Sequence, residues 1–198
     1  AEPVTVAALG DSLTQGFGLP PDAGFVPVLD AWLAGAGEDV ILINAGVSGD
    51  TTAGGLSRAA WTLTPEVDAL IVALGGNDLL RGIEPAASRA NLDGIMAAAA
   101  EAGVPVLLVG LDAPSNYGAS YEAEFEAIFP DLAAEYDALL YPSFLAPLTE
   151  DADLATALAR YMQADGIHPN AAGVERIVAG IGPVVRDLVA RTRDAGTD

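Results

Sequence analysis

The 198 residues contain no cysteine, no lysine and a single histidine. Without cysteine the fold has no disulfide, no thiol nucleophile and no thiolate metal site. With one imidazole and no thiolate, a metal site would have to be built from carboxylates, the ligands of hard cations, so zinc catalysis is disfavoured and no metal or other cofactor is expected. Long apolar runs are missing too. The stretch from Val104 to Leu111 falls far short of the roughly 20 residues a membrane span needs, so no span is expected. Cations are scarce: eight arginines face 28 acidic residues, for a formal net charge of −20. A field of that sign repels phosphate backbones and anionic bilayers, which argues against a nucleic-acid partner. The acidic residues are scattered rather than gathered in a tail, the pattern of a solvated surface, and salt screening of their repulsion suits a saline setting.

What is abundant is apolar: 52% of the residues are hydrophobic, without a short repeat or a linker-like stretch. That length and composition suit one domain over 1–198 with a sizeable core. The chain starts at Ala1 rather than Met, which reads either as a removed signal peptide or as a trimmed chain, the first being the expectation favoured. Nothing in the residue pattern selects an oligomeric state.

Apolar, β-branched runs at Val4–Gly10, Val40–Asn44, Asp68–Leu74, Val104–Leu111 and Leu139–Tyr141 read as strands. Between them, helical periodicity appears over Phe25–Leu33, Thr51–Leu63 with Asp50 as N-cap, Glu84–Ala102 and Tyr121–Tyr136. Two more helices are expected at Asp153–Tyr161 and from about Asn170 to Arg191, and the Gly- and Pro-rich segment Leu13–Gly24 reads as a loop. Strands alternating with helices of this length predict βαβ crossovers, hence a three-layer α/β/α sandwich around a roughly five-stranded parallel sheet, in the manner of flavodoxin. In such a sheet all strand carboxyl ends share one edge. Ser12, Gly49 and Asn77, each just past a strand, would converge there.

Ser12 follows a strand and Gly10-Asp11, and its plainest role is to cap the next helix. His168, the only imidazole, has Asp165 three residues earlier, with Gly166 and Pro169 bending the segment. A carboxylate at that spacing reaches back to Nδ1, fixing the tautomer that leaves Nε2 free to take a proton. The competing reading is a surface histidine beside a turn in which Asp165 caps the last helix. Acyl transfer also needs donors aimed at the developing oxyanion, which the Ser12 and Gly49 backbone N–H groups and the Asn77 side-chain amide can supply. Glycines and Asn-Asp pairs after strands serve turns as well. Ser48, Ser115 and Ser120 also lie near strand ends but lack the strand-Gly-x-Ser setting, and no Gly-x-Ser-x-Gly elbow occurs.

Gly10-Asp11-Ser12-Leu13, the Gly49 turn, Gly75-x-Asn77-Asp78 and Asp165-x-x-His168-Pro169 resemble, in order and spacing, the four blocks of the SGNH or GDSL hydrolases. The segments Asn44–Thr51, Leu74–Gly82 and Asn116–Gly118 are similar to the bacterial arylesterase branch, which includes a periplasmic multifunctional thioesterase, protease and lysophospholipase. The likeness runs from Val4 to about Val189. It implies an esterase acting on small-molecule esters through an acyl-enzyme, with Ser12 as nucleophile, His168 as base, Asp165 as its orienter, and Ser12, Gly49 and Asn77 as the oxyanion hole. It also implies a periplasmic or secreted location. Leu79, Leu80 and Ile83, together with Pro114, Asn116 and Tyr117, are the substrate-binding residues it suggests. Carbohydrate O-acetyl esterase or acyltransferase chemistry uses the same apparatus, and a non-catalytic anion-binding module at helix N-termini is the alternative from another class.

Overall fold

The computed structural model describes residues 2–195, so the Ala1 start and the 196–198 tail lie outside the described residues. Five strands, β1 (Val4–Gly10), β2 (Val40–Gly46), β3 (Ala69–Ala73), β4 (Val106–Val109) and β5 (Leu139–Tyr141), form one parallel sheet in the order β2-β1-β3-β4-β5. In register, Val6 lies opposite Leu42 and Ala69, while Gly10 ends β1 level with Gly46 and Ala73. The chain goes outward from β1 to β2 and then crosses to β3 on the other side. This reversal opens a crevice at the strand carboxyl ends, where ligands of open α/β sheets bind.

The apolar runs are continuous because both faces of the sheet are covered. Side chains alternate across β1. Val6 and Ala8 join a core with Phe25, Leu29 and Ile181, under α2 (Phe25–Gly35) and α8 (Ala171–Ala195). Ala7 and Leu9 join the opposite core with Leu92, Ile95 and Phe125, under α3 (Thr52–Thr62), α5 (Pro85–Glu101) and α6 (Ala119–Glu135). The three-layer α/β/α sandwich is the observed architecture. Among the described residues no helix is long and apolar enough to cross a membrane.

Several boundaries differ from the sequence reading. The Leu13–Gly24 segment is not wholly a loop: α1 (Ser12–Gln15) makes one turn before Gly16 ends it in the left-handed region. That turn fits only because β1 and β2 end in glycine. A Cβ on Gly10 would run into the Thr14 side chain, and one on Gly46 into the Gln15 backbone. Thr51, not Asp50, caps α3, its hydroxyl accepting from the Gly54 N–H; Asp50 instead pairs with Arg58 at 2.7 Å. Adjacent Asp and Thr are both good caps, and the arginine partner decides between them. A further short helix, α4 (Gly76–Leu80), follows β3, and α7 (Leu154–Tyr161) begins at its cap, Asp153.

Candidate active site

Ser12 opens α1, half-buried, with its Oγ 2.9 Å from His168 Nε2. The capping role falls to the neighbouring residue: Asp11 Oδ1 accepts from the Leu13 N–H at 3.0 Å, which leaves the Ser12 hydroxyl for the imidazole. Asp11 is buried, and desolvation pushes its carboxyl up to about 6 against the opposing pull of the Leu13 N–H and of His168.

His168 lies on the segment between α7 and α8. Its Nδ1 is 2.6 Å from Asp165 Oδ2, while Asp165 Oδ1 accepts from the backbone N–H groups of Ile167 and His168 at 2.9 and 3.0 Å. Those bonds, the imidazole's first, hold the Asp165 carboxyl at about 2, so the carboxylate is ionised throughout the neutral range. Gln163 anchors the segment: its N–H donates to the His168 carbonyl at 2.7 Å and its amide to the Phe17 and Pro169 carbonyls. Phe17 packs on the imidazole, with ring centroids 4.5 Å apart. Asn170 caps α8 through the Gly173 N–H, so Asp165 is not the cap of the last helix.

Gly49 occupies the third position of a turn closed by Asp50 N–H to the Val47 carbonyl, at φ +82°, a conformation that favours glycine. Asn77 Nδ2 donates to the Asp50 carbonyl at 2.9 Å and Arg81 to the Gly49 carbonyl at 3.0 Å, so α4 and the residue that ends it grip this turn at two successive residues. An amide has two N–H donors, and this bond uses one of them. Ser12, Gly49, Asn77 and His168 all line one cavity of about 890 Å³.

Of the residues suggested for substrate contact, Leu79, Leu80, Pro114, Asn116 and Tyr117 line this cavity. Tyr117 joins the two loops by donating its hydroxyl to the Leu79 carbonyl at 2.7 Å. Ile83 does not line it. Its segment turns away towards α6, and its carbonyl accepts from the Tyr121 hydroxyl at 2.6 Å. Sequence reasoning missed the opposite wall, formed by Leu145, Leu148, Leu154, Leu158, Met162 and Ile167. The signal was the spacing of Leu154, Ala157 and Leu158 along α7, three and four residues apart and hence one helical face. Ser48 also borders the cavity, but its hydroxyl donates to Gln15 Oε1 rather than to a base.

A hydroxyl hydrogen-bonded to an imidazole whose other nitrogen meets an ionised carboxylate, beside donors and an apolar cavity, is an arrangement that performs acyl transfer. The chain matches the GDSL-like Lipase/Acylhydrolase family over residues 8–176. It is 38% identical over 186 residues to the esterase TesA of Pseudomonas aeruginosa, covering 93% of this chain and 89% of that one. It is 37% identical over 168 residues to the thioesterase 1/protease 1/lysophospholipase L1 of Escherichia coli K12, covering 84% and 76%. Among solved structures it resembles AlinE4, an SGNH-hydrolase family esterase, with a TM-score of 0.76 and 43% identity over 94% of this chain and 97% of that one.

Proposed function

This chain belongs to the GDSL-like Lipase/Acylhydrolase family and is a serine esterase, and we propose that Ser12, His168 and Asp165 carry its reaction on short to medium acyl esters of small molecules. Ser12 Oγ attacks the acyl carbon as its proton passes to His168 Nε2, and Asp165 stabilises the imidazolium across Nδ1. The oxyanion is met by the N–H groups of Ser12 and Gly49 and by the Asn77 amide. His168 then returns the proton to the leaving oxygen, and a water activated by the same imidazole releases the acid from Ser12. No cofactor enters these steps.

The observation that carries this reading is the unbroken contact chain from Ser12 Oγ to Nε2 at 2.9 Å and from Nδ1 to Asp165 at 2.6 Å, beside a cavity walled by leucines. The apolar walls favour an aliphatic or aryl acyl group, and aryl esters, thioesters and lysophospholipids are the substrates to examine. We also read 1–198 as one catalytic domain, since a single sheet carries both cores, and its location as periplasmic or secreted, after the arylesterase branch it resembles. Turnover of p-nitrophenyl butyrate by Ser12→Ala is expected to fall by at least about 10⁴-fold. Equal turnover by variant and parent would overturn the assignment.

A further inference from the structure

Asp78 is wholly buried beside the cavity, and the reaction as described makes no use of it. A buried carboxylate is costly unless it is fully hydrogen-bonded. Asp78 meets that condition with neutral donors from two other helices. Its Oδ1 accepts from the Thr52 N–H at 2.9 Å, and its Oδ2 accepts from the hydroxyls of Thr52 and Ser88, each at 2.6 Å. Asn91 Nδ2 donates to Thr52 Oγ1 at 3.0 Å, which aims the Thr52 proton at the carboxylate. The Thr52 N–H is one of the unpaired donors at the start of α3, where the helix dipole also favours an anion.

The placement of these bonds suggests their use. Thr52 lies three residues after Gly49, and Asp78 directly follows Asn77. The carboxylate therefore ties the start of α3, which the Gly49 turn leads into, to the helix that carries Asn77, and Ser88 fastens both to α5. We propose that Asp78 is a positioning residue for the oxyanion hole: with Thr52 and Ser88 it fixes the spacing between the Gly49 N–H and the Asn77 amide. The inference rests on the assignment of Gly49 and Asn77 as the oxyanion donors. The donors themselves remain when the knot is cut, but they lose their alignment, and misplacement by about 1 Å costs on the order of 10²-fold in rate.

The test is a double-variant cycle built on Thr52→Val, which removes the hydroxyl donor and keeps the side-chain shape. Thr52→Val is expected to lower kcat about 10-fold to 100-fold with KM nearly unchanged, because the contacts at stake form only in the transition state. Thr52→Ser, which restores the hydroxyl, should return kcat to within about threefold of the parent. In an Asn77→Ala background, Thr52→Val should cost less than about threefold more, since the group it positions is already gone. Ser88→Ala cuts the knot from the α5 side and gives the same readouts independently, should Thr52→Val fail to fold. The proposal is overturned if both knot variants fold and keep parental kcat, if they raise KM alone, or if their losses multiply in full with that of Asn77→Ala. An Asn77→Ala variant with parental kcat would instead refute the oxyanion assignment on which the proposal stands.

Discussion

Asp78 and Asp165 are both carboxylates serving the proposed active site, yet one is wholly buried and the other has a side chain 36% exposed. Around Asp78, the proposed oxyanion side grows out of β2 and β3 and is held by bonds among α3, α4 and α5. Arg58 adds to it by donating to the carbonyls of Gly10 and Ala45 and to the Asp50 carboxylate. Around Asp165, the base side hangs on a segment between two helices, fastened mainly through Gln163 and the Asp165 carboxylate itself. The two sides solve different problems. Oxyanion donors must already be in place when charge develops, which favours a dry, cross-bonded setting. A base that takes and returns protons works beside water, and there Asp165 is kept ionised by the His168 imidazole first and then by two local backbone N–H groups.

That contrast sets the order of the expected effects. His168→Ala removes the only imidazole of the chain and should lower kcat by about 10⁴-fold. Asp165→Ala, which leaves Nδ1 open to water, should cost less, about 10-fold to 100-fold, because solvent at this partly exposed pair takes over part of the stabilisation of the imidazolium. Steady-state kinetics at pH 7.5 compares the two, and an Asp165→Ala loss as large as that of His168→Ala would erase the distinction between a buried and a wet side. The α7 wall gives a smaller effect. Leu158→Ser should lower kcat/KM for p-nitrophenyl octanoate about fivefold to tenfold while leaving p-nitrophenyl acetate nearly unchanged, since only the longer chain reaches that wall. Equal losses on both esters would place the acyl chain elsewhere.

The smallest effect concerns stability rather than rate. Burial raises the Asp11 carboxyl to about 6 in the folded chain, above the 3.8 it has when unfolded. Between these values the folded state binds more protons than the unfolded state, so the contribution of Asp11 to stability falls as pH rises from about 4 through 6. Asp165, lowered to about 2, acts in the opposite sense: its contribution is present above about 4 and is lost as pH falls towards 2. Asp11→Asn keeps a capping oxygen and should flatten the slope of the unfolding midpoint between pH 4 and 6, as read by circular dichroism. An unchanged slope would remove Asp11 from this account.

The strand ends were legible because a parallel sheet buries both faces and leaves uninterrupted apolar runs, and because the strand carboxyl ends share one edge. Ser12, Gly49 and Asn77 could thus be gathered without coordinates. Asp165 and His168 were legible through their three-residue spacing. The leucine wall was not: α7 was expected as a helix, but which surface its leucines face depends on where the chain docks after β5. Ile83 stands outside the cavity lining for a related reason. Its residue type suits an acyl pocket, yet the bond from Tyr121, 38 positions away, turns its segment aside. The buried bonds of Asp78 were not legible because its partners, Thr52 and Ser88, lie 26 and 10 positions away and nothing local marks them.

The central claim is that Ser12 forms a covalent intermediate beside donors that stabilise its oxyanion. The most direct measurement is intact-protein mass spectrometry with peptide mapping after reaction with a p-nitrophenyl alkylphosphonate, whose tetrahedral phosphorus stands in for the acyl intermediate. A single phosphonyl adduct on Ser12, formed at least about 10²-fold more slowly in Asn77→Ala, is the predicted result. An active enzyme that takes no label at Ser12, or takes it at Ser48, would contradict the account.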